Sequence, residues 1–236
     1  MTGGLGKKLS QVYLGSVMTA YALVILLASA PPPFVDYPDW VYQGVLFHAL
    51  ITGHPVAGYA IKHYPVPNSL TTVGIGFLNT LLPWQWAAKV WVCLYLTLAG
   101  VATWLLARVR SRWDWQLAVA APGIVFVNLN FWYGHISFEI GVCLVVILLV
   151  MLLRNASTLC VMGVLVALFF THMEACAGDL LLVGIWYIDL RQWKRLWSII
   201  PTIALTLWYA VARFNSGNRD GLGLQSAPIP MVQSGF

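Results

Sequence analysis

Long apolar runs alternate with short polar segments along the whole chain. The runs cover residues 12–30, 86–107, 116–130, 136–153, 159–170, 177–187 and 198–214. A helix needs about 20 apolar residues to cross the roughly 30 Å hydrocarbon core of a bilayer. Lipid offers no partner to an open strand edge, so backbone in that environment is helical. The pattern therefore predicts an all-α, polytopic integral membrane protein with about seven transmembrane helices.

Residues 31–67 depart from this pattern. They are too polar to span and too apolar for a free linker, and they concentrate Asp36, Asp39, His48, His54, Lys62 and His63. The prolines at 31, 32 and 33 end the first run, because a proline run cannot continue a helix. Pro38 sits where an N1 proline belongs, and residues 38–51 read as a short helix closed by Gly53. With Trp40, Tyr42 and Phe47, this helix suits the membrane interface, where aromatic rings prefer to sit. Residues 54–68 are turn-rich. Asn68 or Ser69 can cap a second short helix over 70–82, stopped by Pro83.

Basic residues decide whether 70–82 crosses. If it does not, Lys7, Lys8, Arg108, Arg110, Arg112, Arg154, Arg191, Lys194 and Arg195, nine of the thirteen lysines and arginines, fall on one side. The positive-inside rule makes that side cytoplasmic. The N-terminus is then cytoplasmic, the first loop (31–85) is non-cytoplasmic, and a plasma membrane, the bacterial inner membrane, is the expected location. Asp36, Asp39, His63, His135, Glu139, His172, Glu174 and Asp179 come out on or near the outer face. Residues 1–214 form one transmembrane module, and the polar, glycine-rich tail 215–236 reads as an external loop or disordered end.

Composition agrees. Hydrophobic residues make up 60% of the chain and charged residues 9%, with a mean hydropathy of +0.78, against roughly 25% charged in soluble domains. The net charge of +5 resides in juxtamembrane clusters, which are orientation signals and not a nucleic-acid surface. Cys93, Cys143, Cys160 and Cys176 sit singly in apolar runs and read as buried free thiols, with neither disulfide nor zinc spacing. Lys7, Lys8, an apolar run and Ala28-Ser29-Ala30 imitate a cleavable signal. The following Pro31 and the near-spanning length favour an uncleaved first span. Asn155-Ala156-Ser157 matches a glycosylation sequon, but on the cytoplasmic side it is a chance match.

Each candidate cluster has an ordinary reading beside its functional one. Asp36 and Asp39 at a helix start read first as caps that satisfy free N–H groups and the helix dipole; they can also supply a general base at the bilayer surface. Lys62-His63-Tyr64 can meet a lipid phosphate or can be a snorkelling lysine with interfacial aromatics. His135 and Glu139 share a helix face, and His172 with Glu174 follows the fifth run. Ionisable groups at membrane depth are costly and usually mark a pathway or site, although a histidine can also serve only as a hydrogen-bond partner or a pigment ligand. Their spacing is not a recognised metal-ligand set.

Several of these stretches together resemble a known family. Asp36-Tyr37-Pro38-Asp39 after the first span, the interfacial helix ending in Gly53-His54-Pro55, and Lys62-His63-Tyr64-Pro65-Val66-Pro67-Asn68 look like the first external loop of GT-C type membrane glycosyltransferases. The similarity is greatest to bacterial multi-span proteins of that superfamily. Residues 130–138, NFWYGHISF, are similar to their second external loop, and Thr171-His172 to a further recurring histidine position. The resemblance covers residues 1–214 and implies transfer of a sugar, with inversion, from a polyprenyl-phosphate carrier at the outer face. It implies Asp36 as base, with Asp39 beside it. It also implies that Lys62 or His63 holds the carrier phosphate, and that His135, Glu139 and His172 face the same cavity. No metal ligand follows from it.

The second-loop acid differs from the family pattern, in which an Asp usually follows an Arg. Typical members also continue for several more spans. Two other classes therefore stand beside the enzyme: a non-catalytic accessory subunit packing on other membrane subunits, lipid or pigment, and a transporter component. The transporter is the weaker of these, for want of inverted-repeat similarity.

Overall fold

The computed structural model describes residues 3–28, 34–109, 115–217 and 232–234, and 80% of the structure is helical. The prolines at 31–33, the Ser29-Ala30 part of the signal-like cleavage motif, Arg110, Arg112 and tail residues 218–231, 235 and 236 lie outside the described residues. The helices are α1 (Gly3–Leu27), α2 (Tyr37–Ile51), α3 (Leu70–Leu78), α4 (Trp84–Ala107), α5 (Trp115–Val127), α6 (Leu129–Tyr133), α7 (Ile136–Leu153), α8 (Thr158–Thr171), α9 (Met173–Asp189) and α10 (Ile200–Gly217). A 3-10 helix, Trp193–Ile199, leads into α10. Four segments among the described residues are long and apolar enough to cross a membrane: Gly6–Leu27, Trp84–Ala107, Ile136–Leu153 and Trp193–Asn215; Thr158–Thr171 is apolar but shorter.

Local chemistry explains several helix starts. Pro83, extended at φ −54° and ψ 147°, opens α4. Ser157 caps α8 by accepting the Cys160 N–H at 3.3 Å, which gives the serine of the sequon-like triplet a structural role. The run over 116–130 is not one helix. Asn128 turns extended after α5, and its side chain accepts the Asn130 N–H at 2.9 Å to start α6. Ser69 occupies the position before α3, but its hydroxyl donates instead to the Val66 carbonyl at 2.7 Å.

Two expectations need correction. The chain is not purely helical: β1 (Tyr59–Ile61) pairs antiparallel with β2 (Val232–Ser234), so part of the tail returns to the first loop. An aromatic and β-branched triplet outside the apolar runs has a free backbone edge that a second strand satisfies. Nor are all four cysteines buried: Cys143 and Cys176 are, Cys93 is half-buried, and Cys160, in the first turn of α8, is exposed.

Side-chain contacts fix how the long helices run. Lys89 meets the Leu26 and Ala28 carbonyls, Cys93 meets that of Ala22, and Gly100 faces Met18, so α1 and α4 are antiparallel. Tyr95 bonds Glu139 and Arg154 bonds the Arg108 carbonyl, so α4 and α7 run the same way. Ser137 bonds the Thr171 carbonyl, so α8 returns beside α7. The bundle thus has two distinct ends. One gathers Ala28, Asp36, Asn68, His135 and His172; the other gathers Lys7, Lys8, Arg108, Arg154 and Arg195.

Two cores meet along α7. The first packs Phe34, Tyr37, Ile75, Val92, Tyr95, Leu96, Phe131 and Ile136, and the second Leu148, Val161, Leu165, Leu168, Phe169, Val183 and Tyr187. α2 and α3 cross at Gly44, where any Cβ would lie 2.6 Å from Ile75. Tyr37 anchors this pair to the bundle by donating from its phenol to the Ala88 carbonyl at 2.6 Å. Burial, with a smaller contribution from the Cys93 thiol, pushes the Tyr37 phenol well above its ordinary range.

Candidate functional site

Asp36 stands at the N-cap of α2, yet its side chain makes no cap hydrogen bond. Its Oδ2 lies 2.8 Å from His135 Nε2, the imidazole N–H donating to the carboxylate. Both groups keep access to solvent, with side-chain exposures of 43% for His135 and 48% for Asp36. The capping reading of Asp36 is therefore incorrect: the carboxylate is recruited by a residue 99 positions away.

Backbone geometry creates that meeting. α6 ends at Gly134, left-handed at φ 86°, where an added Cβ would sit 2.6 Å from the Tyr37 amide nitrogen. Only glycine permits this approach. The Asp36 N–H donates to the Tyr133 carbonyl at 2.8 Å, and the His135 N–H to the Asn130 carbonyl at 3.0 Å. Tyr133 stacks on the His135 ring, with centroids 6.1 Å apart.

An open cleft of about 340 Å³ adjoins the pair, lined by Trp40, Asn68, Asn130, His135, Ser137, Phe138, His172 and Glu174. The break between α8 and α9 supplies its floor. Asn68, left-handed at φ 60°, accepts the Met173 N–H on its side-chain oxygen at 2.8 Å and donates its own N–H to the Phe169 carbonyl at 3.4 Å. One residue of the first loop thus serves the end of α8 and the start of α9 together. His172 sits extended in the break and packs against the Phe138 edge, with centroids 5.0 Å apart. Burial lowers its imidazole below the ordinary range; Glu174 opposes that shift and His135 reinforces it.

Glu139 lies one helical turn beyond His135 and does not line the cleft. It is 4% exposed, and both carboxylate oxygens accept: from the Tyr95 phenol at 3.2 Å and from Asn128 Nδ2 at 2.6 Å. Asn128 in turn caps α6, so Glu139 anchors the loop that carries Tyr133 and His135. Asp39 is exposed in the first turn of α2, away from the cleft lining. Lys62, whose ammonium is 5.7 Å from the Tyr64 ring centroid, and exposed His63 are likewise absent from the lining. The structure thus brings together Asp36, His135 and His172, with Glu139 beneath them, whereas Asp39, Lys62 and His63 are not among the residues lining the cleft.

Sequence reasoning missed Asn128 and Tyr95, and it reached Ser137 and Phe138 only as part of the stretch 130–138, with no role of their own. No sequence signal marks these roles, since each acts through a helix it meets only in the fold. Lys89 did carry a signal, as the single charged residue of its apolar run. It is 5% exposed, donates to the last carbonyls of α1 and lies 5.0 Å from the Trp86 ring centroid. Among the described residues no cluster of three or more His, Cys, Asp or Glu side chains could hold a metal ion. No protein-family model, curated protein or solved structure matches this chain.

Proposed function

We propose that this chain is a GT-C-like membrane protein of seven crossings. In this reading α1, α4, α5, α7, α8, α9 and α10 cross and α2 and α3 lie at the outer interface. The alternating helix directions and the gathering of cations at one end support it. The cleft then opens at the non-cytoplasmic end, where a sugar is transferred from a polyprenyl-phosphate carrier to an acceptor hydroxyl.

The observation that carries this reading is the 2.8 Å Asp36–His135 pair at the edge of the cleft. An imidazole held by a carboxylate is suited to proton transfer. The pair takes the proton of the acceptor O–H as the acceptor oxygen bonds to the anomeric carbon from the face opposite the carrier. The bond from that carbon to the phosphate oxygen breaks, and polyprenyl phosphate leaves with the electron pair. Trp40 and Phe138 offer apolar ring surface to a sugar, and Asn68, Asn130, Ser137 and Glu174 offer polar groups.

A second reading is a non-catalytic subunit of a larger membrane complex. It is favoured by one observation: among the described residues no lysine or arginine lines the cleft, whereas a departing phosphate calls for a cation. Sugar incorporation by the chain in vesicles loaded with polyprenyl-phosphate sugars separates the two. Transfer lost in Asp36→Asn and in His135→Gln, with both variants purifying as monodisperse as the parent, upholds the enzyme. Absence of transfer by the parent chain, together with stoichiometric co-purification of other membrane chains, replaces it with the subunit.

A further inference from the structure

The end of the bundle opposite the cleft carries a second charged feature, which the proposed transfer chemistry does not use. Arg108 closes α4, Arg154 closes α7, and Arg191, Lys194 and Arg195 follow α9. Arg154 Nη2 donates to the Arg108 carbonyl at 2.7 Å, and Arg195 Nη1 to the Ala156 carbonyl at 3.0 Å. These two bonds lace three helix ends into one face. Arg108, Arg154, Arg191 and Lys194 are exposed, and Arg195 is half-buried. Among the described residues, no carboxylate stands within ion-pair distance of any of the five, although Asp189 is nearby in sequence and exposed.

Cations at helix C-termini are ordinarily explained by the helix dipole. Each such end carries about half a negative charge, so α4, α7 and α9 together supply about −1.5. Among the described residues, with Asp189 counted, the five cations still leave about +2.5 unbalanced. Arg191 adds a separate observation. It occupies the left-handed position after α9 at φ 54°, with its N–H on the Ile188 carbonyl at 3.0 Å and the Gln192 N–H on that of Tyr187 at 2.7 Å. Glycine is the usual residue in this closure. Here a long cation occupies it instead, at a backbone angle that disfavours any side chain.

The flanking residues match a lipid surface. Trp193 and Trp197 are 58% and 68% exposed, and the Arg108 guanidinium lies 4.0 Å from the Trp104 ring centroid. Tryptophan collects at the level of lipid headgroups, and clustered Lys and Arg beside an apolar span attract anionic lipid. We propose that this basic face, built from the ends of α4, α7 and α9, binds the phosphate headgroup of an anionic phospholipid in the adjoining leaflet. The assignment rests on the membrane reading of the chain and is independent of sugar transfer.

The test reconstitutes the full chain into vesicles of equimolar phosphatidylcholine and phosphatidylglycerol, re-extracts it in mild detergent, and quantifies the retained lipid by mass spectrometry. Phosphatidylglycerol should be retained over phosphatidylcholine, and the ratio should fall about five-fold for each cation removed. The informative variant is Arg191→Gly with Lys194→Gln, because glycine suits the Arg191 backbone and neither side chain holds the fold together. Arg213→Gln, on α10 towards the other end, should leave the ratio unchanged. Equal retention of the two lipids by the parent chain, or an unchanged ratio in the double variant, overturns the proposal. Displacement of the lipid by soluble glycerol phosphate overturns it in favour of a soluble-anion site. A chain that fails to float with the vesicles overturns the membrane reading itself.

Discussion

Removing the Glu139 carboxylate strikes the buried support of the Asp36–His135 pair without touching either partner. Glu139 accepts from Tyr95 at 3.2 Å and from Asn128 at 2.6 Å. Tyr95 is 1% exposed and has no route to water, so Glu139→Ala leaves its hydroxyl orphaned at a cost of about 1–3 kcal/mol. Asn128 is only half-buried, and its loss is set by the smaller scale of hydrogen bonds within bilayers, about 0.6 kcal/mol. The expected destabilisation is therefore about 1.5–3.5 kcal/mol. Glu139→Gln keeps the shape and one acceptor but turns an N–H towards the other donor, and should lose about 1 kcal/mol. Reversible unfolding in mixed detergent–dodecyl sulfate micelles measures both. The decisive experiment is a double-mutant cycle with Asn128→Ala, which should show a coupling of at least about 0.5 kcal/mol because the two residues share a bond. Additive Glu139→Ala and Asn128→Ala effects, or Gln and Ala variants of equal stability, would refute the anchoring role.

Two further outcomes follow from the cleft. Asn68→Ala loses the oxygen that accepts the Met173 N–H and places an alanine at φ 60°, so it should cost about 2 kcal/mol; Asn68→Gly, free of the backbone penalty, should cost less, and equal stabilities in the same unfolding assay would contradict the latch. The His172 imidazole, lowered chiefly by burial, should titrate below the usual midpoint of about 6.5 in histidine-labelled NMR spectra, and lower still in Glu174→Gln. Because the unfolded chain binds the proton more readily, His172 contributes stability that is complete above the unfolded value and is lost as pH falls through the folded one; a midpoint at or above the ordinary value would disprove this.

What could be read from the chain was what local chemistry controls. Pro38 and Gly53 limit α2 because a ring without an N–H, or a residue free to turn left-handed, acts on its own neighbours; Pro83 does not stop the helix expected over 70–82, since α3 already ends at Leu78 and Pro83 instead opens α4. The apolar runs likewise marked the long helices, since a run long enough to cross lipid must satisfy its backbone internally. Position 128 escaped, because an asparagine inside an apolar run can continue a helix or start a new one, and Glu139 on α7 helps decide which. The hydrogen bond of Asp36 escaped in the same way. Spacing alone made the carboxylate a cap, but it meets the His135 imidazole instead, and His135 comes within reach only when Gly134 lets the second loop close on Tyr37. The same holds for Asn68 bridging α8 and α9, for Lys89 covering the end of α1, and for the strand that returns to Tyr59–Ile61. Helix limits depend on residues a few positions apart and are legible in order along the chain. The site depends on which helices lie side by side, and that choice belongs to the packing of the whole bundle.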